Sequence, residues 1–137
     1  MKKTMITALM TSAILGSCST GNKYNTALQE NLPGRWNIVE VDGQSTKGTE
    51  NQPFINFTDS GTVNGNMSIN LFFGTYTLKG DSISFGNMGM TQMAGINMDV
   101  EFAVRTAMEK CATLDWQDSI INAKDMDGNI VMKLKRD

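Results

Sequence analysis

Cys18 is the residue whose type and position point most directly to a chemical reaction. It follows Leu15, Gly16 and Ser17, so an aliphatic residue and two small residues precede a cysteine at the end of an apolar segment. This pattern resembles the bacterial lipobox, in which a peptidase needs small side chains beside the bond it cleaves and the cysteine thiol accepts a diacylglycerol. The sequence therefore predicts lipidation at Cys18. The alternative is an ordinary signal peptide with an incidental cysteine.

The residues before Cys18 have the organisation of a secretory signal. Lys2 and Lys3 form a short basic start, and residues 5–15 are apolar or small. This stretch is shorter than the about 20 residues that a transmembrane helix needs, and no later stretch comes close to that length. Removal of residues 1–17 changes the net charge from −2 to −4, because two lysines and no acids are lost.

The residues after Cys18 divide the remaining chain into a tether and one domain. Residues 19–26 are small and polar and cannot bury enough apolar surface to fold alone. We therefore predict a signal peptide over residues 1–17, a flexible tether over residues 18–31 and a folded domain over residues 32–137. About 105 residues are enough for one modest hydrophobic core.

Four methionines lie close together in the second half of the chain: Met88, Met90, Met93 and Met98. Thioethers are soft ligands that select Cu(I), and an exported protein can meet copper. Methionines also fill irregular gaps in a core, because they are unbranched and adaptable. The sequence leaves both interpretations open, a metal or small-ligand site and simple packing.

Other residue types argue against catalysis and nucleic-acid binding. The sequence contains no histidine, which excludes Ser-His-Asp and Cys-His catalysis and His-ligated zinc. The acidic balance provides no basic stripe for nucleic acid and no polybasic patch for anionic lipid. Residues 125–129 resemble the start of a calcium loop, but Arg136 stands where that loop needs a glutamate, so we predict a turn. We expect no enzyme activity, no catalytic residues and no cofactor.

Hydrophobic periodicity predicts the elements that would position these residues. Strands are predicted over residues 34–41, 53–57, 62–66, 73–79, 82–85, 114–116, 119–123 and 130–135, with an Asp-Gly turn at residues 42–43. Residues 87–97 are predicted to be irregular. A helix over residues 99–113 would bury one stripe of side chains. That stripe comprises Val100, Val104, Ala107, Met108 and Cys111, so Cys111 is interpreted as a small buried apolar residue.

The order of these elements predicts an α+β fold that is mostly β. We expect a single domain with a curved antiparallel sheet, partly closed and barrel-like, and one helix packed on it. Glu101 and Arg105 are spaced to pair across one helical turn. The aromatic residues of the predicted strands are expected in the core, with the alternative that one or two of them line an exposed patch: Trp36, Phe54, Phe57, Phe73, Tyr76 and Phe85.

The sequence resembles the META domain family, the family of the HslJ-like heat-shock lipoproteins. Leu32-Pro33-Gly34-Arg35-Trp36 is similar to the opening Leu-x-Gly-x-Trp of the family, and residues 53–57 to its second strand. Asn70 to Tyr76 is similar to its Asn-x-x-x-Gly-x-Tyr motif. Thr91-Gln92-Met93-Ala94, followed by Glu101, is similar to its Thr-Arg-Met-Ala-Cys segment and downstream glutamate. The resemblance covers about residues 32–135.

Two departures from the family pattern occur together. Family members often carry a cysteine between the glycine and the asparagine of the Gly-Cys-Asn motif, where this chain has Ser68-Ile69-Asn70. They carry another after Met-Ala, where this chain has Gly95. We interpret the paired loss as a sign that the two positions lie close in space and could form a bridge in relatives.

The resemblance implies an envelope lipoprotein associated with stress or envelope maintenance, with no established catalytic activity. Together with Cys18, it leads us to expect a protein anchored in the bacterial envelope, at the outer membrane and facing the periplasm. Its partners would be the membrane, through the lipid, and another envelope protein. The alternative function is binding of Cu(I) or a small ligand through the Met-rich loop over residues 88–98.

Overall fold

The computed structural model describes residues 27–96 and 98–137 as one folded unit. Residues 27–31 are helical (α1), and a second helix, α2, spans Met98–Lys110. Nine strands lie within the described residues: β1 Gly34–Val41, β2 Gln44–Ser45, β3 Phe54–Phe57, β4 Thr62–Asn66, β5 Leu71–Lys79, β6 Ser82–Met90, β7 Thr113–Gln117, β8 Ile120–Lys124 and β9 Ile130–Lys135.

All strand pairs are antiparallel, and the sheet closes on itself. Consecutive pairing runs from β1 through β3 to β9, and β9 then pairs with β1, so β2 alone extends outside the ring. Closure matters because it pairs the backbone edges that an open sheet would leave free. The predicted fold class, mostly β with a curved antiparallel sheet in a single domain, is confirmed.

The ring is weakest between β6 and β7. Those strands share a single residue pair, Ser82 with Thr113, flanked by hydrogen bonds from Ile83 N to Ala112 O at 2.9 Å and from Leu114 N to Asp81 O at 2.8 Å. Beyond Ile83, no residue of β6 pairs with β7, and β6 continues paired with β5 alone. The chain between these strands forms α2, which packs against β1 and β9.

The interior of the ring is the hydrophobic core. Trp36, Ile38 and Ile55 are completely buried, and Trp36 donates from Nε1 to the Leu32 carbonyl at 2.8 Å. The predicted helical stripe is confirmed, because Val104, Ala107 and Met108 are buried on α2 and Cys111 follows them into the core. Side chains alternate between core and solvent along the strands, as the pleat of a strand requires.

The predicted start of the domain differs from the structure. Residues 27–31, assigned to the flexible tether, are helical, and Leu28 belongs to the core with 4% exposure. The Leu32 amide donates to the Leu28 carbonyl at 2.8 Å and ties this turn to β1. Burial of Leu28 supplies the apolar contact that the polar residues before it lack. The rest of the predicted tether and the signal peptide lie outside the described residues.

Three other sequence predictions are corrected by the structure. Residues 87–90 are not irregular, since β6 continues through Met90 after a bulge at Asn87, whose φ is +48°. The long helix ends at Lys110, before the predicted Thr113, because residues 113–117 pair with β8. Phe73 is 61% exposed, because the alternation of β5 points Phe72 into the core and Phe73 outward.

The turns follow local sequence more closely. Asp42 and Gly43 have φ values of +50° and +77°, the backbone that an Asp-Gly hairpin turn requires. The turn at residues 125–129 is confirmed, since Asp125 Oδ1 accepts from the amides of Asp127 and Asn129. Within the described part of the chain, the helices are too short or too polar to cross a bilayer.

Candidate functional site

A cleft of about 980 Å³ lies between β6 and α2, where the ring of strands separates. Its walls come from β6, from residues 91–94 that follow it, and from one face of α2. The cleft exists because β6 leaves β7 after Ile83 and the helix does not fill the gap. It is concave, mostly apolar and of the size that small-molecule sites occupy in proteins.

All four methionines predicted as a possible site line this cleft: Met88, Met90, Met93 and Met98. Met67 and Met108 line it as well, and both are almost fully buried. The sequence interpretation did not include these two, because Met67 is distant in the chain and Met108 was assigned only to the helical stripe. Met88 also packs its sulfur against Gly74 on the neighbouring strand.

The side chain of Asn70 holds the wall of the cleft together. Its Oδ1 accepts from the Met93 amide at 2.6 Å and from Thr91 Oγ1 at 2.9 Å. Its Nδ2 donates to the Met93 carbonyl at 3.0 Å and to Glu101 Oε1 at 2.6 Å. A single buried amide therefore connects β5, the segment after β6 and the first turn of α2. The residues quoted for the family resemblance in these three segments meet at this point.

Glu101 is the one charged residue buried in the described part of the chain, with 4% exposure. Its Oε1 is held by Asn70, but its Oε2 is buried and has no hydrogen-bond partner within residues 27–96 and 98–137. The predicted pairing of Glu101 with Arg105 is wrong. Arg105 lies 4.0 Å from Glu109 instead, because Glu101 faces the cleft wall while Arg105 and Glu109 are exposed.

The two positions where the chain departs from the family pattern are in contact. A Cβ placed on Gly95 would lie 2.7 Å from Cδ1 of Ile69 and 3.2 Å and 3.3 Å from its two γ carbons. The large side chain of Ile69 thus occupies the space that the small residue at position 95 leaves. This confirms that the two positions are neighbours, as the paired loss of cysteines indicated.

Cys111 is a buried free thiol among the residues that line the cleft. Burial raises the pKa of Cys111 to about 12. A thiol with this pKa stays protonated at neutral pH, and the protonated form is a poor nucleophile and a poor metal ligand. Cys18, the predicted lipidation site, lies outside the described residues.

Exposed apolar side chains lie on the segments that form or adjoin the cleft, and three of them, Met93, Met98 and Phe102, line it; we call the whole set the rim patch. The rim patch comprises Leu71, Phe73, Met93, Ile96, Met98 and Phe102, each between 41% and 76% exposed. These residues come from the start of β5, the segment after β6 and the first turns of α2. Exposed apolar residues grouped in this way mark interaction surfaces more often than isolated ones do.

No group of three or more His, Cys, Asp or Glu side chains in the described ranges is arranged to hold a metal ion. The acid-base groups of the cleft are Glu101, Arg105 and Glu109, and the last two pair at its edge. The geometry therefore offers a mostly apolar cleft with one buried carboxyl oxygen, Oε2 of Glu101, to which no described residue donates.

Comparison with known proteins places the fold. The family model described as META domain matches residues 27–137. A protein solved by NMR is 18% identical with a TM-score of 0.64, over 78% of this chain and 92% of that protein. Another NMR structure, from Burkholderia xenovorans, is 16% identical with a TM-score of 0.61, over 100% and 99%.

A third solved relative is a DUF4847 family protein from Bacteroides vulgatus. Its crystal structure is 11% identical to this chain with a TM-score of 0.61, over 81% of this chain and 97% of that one. No curated protein matches the sequence. At these identities the solved structures establish a common fold.

Proposed function

This chain belongs to the META domain family, and from that premise we propose that it is a lipid-anchored protein of the bacterial envelope that acts by contacting another envelope protein. The rim patch is the observation that carries the contact role. The anchor rests on the sequence around Cys18. The proposed setting is the outer membrane, with the domain facing the periplasm, in envelope maintenance or stress.

The anchor argument depends on the pattern of the first 18 residues. A basic start, a short apolar stretch and Leu15-Gly16-Ser17-Cys18 agree in order and spacing with acylation at the cysteine. Each buried CH₂ contributes about 0.8 kcal/mol to membrane binding, so two or more acyl chains hold a protein firmly. The domain that follows would then stay within a short distance of the membrane surface.

Hydrogen bonds hold part of the rim patch in place, and this supports the contact role. Asn70 fixes residues 91–93 through three hydrogen bonds and α2 through a fourth. Met93 and the first turns of α2, which carry Met98 and Phe102, are therefore tied to the sheet, and this lowers the entropy cost of binding. Phe102 at 68% exposure and Ile96 at 76% are the side chains that a partner would bury first.

The proposed role is non-catalytic. The thiol of Cys111 is buried with its pKa raised to about 12, which removes it as a nucleophile at neutral pH. Glu101 is held by Asn70 on one oxygen, and the other carboxylate that lines the cleft, Glu109, pairs with Arg105. Paired acids are what general acid-base hydrolysis requires.

Metabolic labelling with an alkyne fatty acid tests the anchor. The Cys18→Ser variant should lose the label and leave the membrane fraction. The matched control is Cys111→Ser, which removes the other cysteine of the chain and should keep the label. Equal labelling of both variants, or an unlabelled wild type that washes off in plain buffer, would refute the anchor.

Site-specific photocrosslinking in intact envelopes tests the contact role. A photoreactive residue at Phe102 should give one discrete crosslinked product with a protein. The same residue at Met126, which is 87% exposed in the turn between β8 and β9, is the matched control and should give none. The contact role would be abandoned if the two positions gave the same products, or if Phe102 gave none.

Copper(I) binding by Met88, Met90, Met93 and Met98 stays a prediction. The four side chains line one cleft, but Met88 already packs its sulfur against Gly74. Packing therefore accounts for at least one of the four thioethers.

A further inference from the structure

We propose that the cleft between β6 and α2 binds a small organic cation, an amine or guanidinium carried on an apolar body, whose charged group donates a hydrogen bond to Oε2 of Glu101. This ligand is separate from the protein partner proposed above. The inference does not depend on that partner or on the anchor at Cys18.

The first argument is the unsatisfied oxygen of Glu101. The residue is 96% buried, and Oε2 has no donor in either described range, although Oε1 has a strong one in Asn70. Buried polar groups in proteins are almost always paired, so an orphaned oxygen on the wall of a cleft needs an explanation. Oε2 exposes less than 1 Å², so a ligand that enters the cleft supplies the missing partner when the carboxyl group turns towards it.

The second argument is charge. The charged residues that line the cleft are Glu101, Arg105 and Glu109, which together carry one net negative charge. Arg105 and Glu109 lie 4.0 Å apart, with side chains 54% and 71% exposed, so they pair with each other at the edge. The charge of Glu101 is therefore left for the ligand, and a cation satisfies it better than a neutral donor does.

The third argument is the chemistry of the walls. Phe85 and Phe102 line the cleft, and aromatic faces attract cations. The thioethers of the cleft are polarizable and adapt to irregular shapes. At about 980 Å³, the space suits a drug-sized body and not only a single ion or water. A cation with an apolar body uses both the carboxyl group and these walls.

The probe for the test is 4-phenylbutylamine, compared with the neutral 4-phenylbutanol and the anionic 4-phenylbutanoate. The full chain is labelled with ¹³C-methyl methionine and held in phosphatidylcholine nanodiscs. We expect the amine to shift the methyl signals of Met67, Met88, Met90 and Met108, and to bind at least tenfold more tightly than the alcohol. The signal of Met126, which lies outside the cleft, should not move.

The substitution Glu101→Gln keeps the size of the side chain and should remove the preference for the amine. The variant should then bind the amine and the alcohol with equal affinity. The control Asp99→Asn removes an exposed carboxylate in the first turn of α2 that does not line the cleft, and it should change amine binding less than threefold. The comparison of amine with alcohol on the wild-type protein needs no variant, so it stands even if Glu101→Gln fails to fold.

Three results would overturn the proposal. The first is equal binding of amine and alcohol to the wild type, and the second is amine preference that survives Glu101→Gln. The third is a shift of the Met126 methyl signal as large as the shifts of the cleft methionines, because it would mean that the amine binds all over the surface. Photocrosslinking at Phe102 remains an independent measurement, so failure here does not decide the proposed contact role.

Discussion

The contact between Ile69 and Gly95 leads to a quantitative prediction, the formation of an introduced disulfide. In the double variant Ile69→Cys and Gly95→Cys, the two thiols should oxidise to a disulfide. The γ carbons of Ile69 lie 3.2 Å and 3.3 Å from a Cβ at Gly95, so a sulfur at a γ position falls within bridging reach. The φ of Gly95 lies outside the positive range, so a cysteine fits its backbone.

The magnitude follows from the loop that the bridge closes. The two positions are 26 residues apart, because 95 minus 69 is 26. Chain-entropy arithmetic for a loop of this length predicts a stabilisation of about 3.5 kcal/mol. For a domain of this size, that corresponds to a rise in Tm on the order of 10 °C.

The single variants are the matched controls, and each should be less stable than the wild type. Gly95→Cys alone pushes its side chain against Cδ1 of Ile69 and should cost about 1–3 kcal/mol through overpacking. Ile69→Cys alone leaves a cavity at a side chain that is 8% exposed and should cost about 1–2 kcal/mol.

The assay is urea unfolding of the full chain with and without reductant, combined with mass measurement after thiol alkylation. The oxidised double variant should unfold at a higher urea concentration than its reduced form. If the thiols fail to bridge under oxidising conditions, or if the bridge lowers the midpoint, the packing inferred between these two positions is refuted.

Three further predictions concern the cleft and its surroundings. Asn70→Ala removes four hydrogen bonds and should destabilise the domain by about 3 kcal/mol. The control Asn31→Ala loses one exposed hydrogen bond and should change stability little. Equal urea midpoints for the two variants would contradict this prediction. Burial raises the pKa of Cys111 from 9.0 to about 12, so between these pH values the native state keeps the thiol proton and the unfolded state loses it. The free energy of unfolding should therefore fall as pH rises from about 9 towards 12. Urea unfolding at pH 8 and pH 10.5 should show a smaller fall in Cys111→Ala than in the wild type. If the thioethers bind Cu(I), the triple variant Met90→Leu, Met93→Leu and Met98→Leu should bind the metal more weakly than the wild type. Met126→Leu is the control and should keep the wild-type affinity. Equal Cu(I) affinity in all three proteins would end that interpretation.

Much of the secondary structure could be predicted because it depends on neighbouring residues. The Asp42-Gly43 turn needs only two residues that accept positive φ, and the structure has them at +50° and +77°. The stripe of Val104, Ala107 and Met108 follows from the period of a helix, and all three are buried. These features do not depend on how distant parts of the chain meet.

Predictions failed where a distant partner decides the outcome. Phe73 was expected in the core, but its register with Gly89 on β6 places its ring on the outer surface, across that glycine. Residues 87–90 comprise one asparagine, one glycine and two methionines, which do not favour a strand, yet pairing with β5 extends β6 through Met90. Glu101 was expected to pair with Arg105 on its own helix, but its carboxyl group accepts a hydrogen bond from Asn70, 31 residues earlier in the sequence.

The sequence alone determined the properties that are written in short segments: the signal-like start, the predicted acylation at Cys18, the absence of histidine chemistry and the approximate strand order. The tertiary structure decided what those segments form together, namely the closed ring, the cleft at its weak seam and the orphaned oxygen of Glu101. The physical reason is that local patterns depend on backbone preferences and periodicity. A cleft and the partners of a buried carboxyl group depend instead on which atoms from distant segments are brought within hydrogen-bond distance.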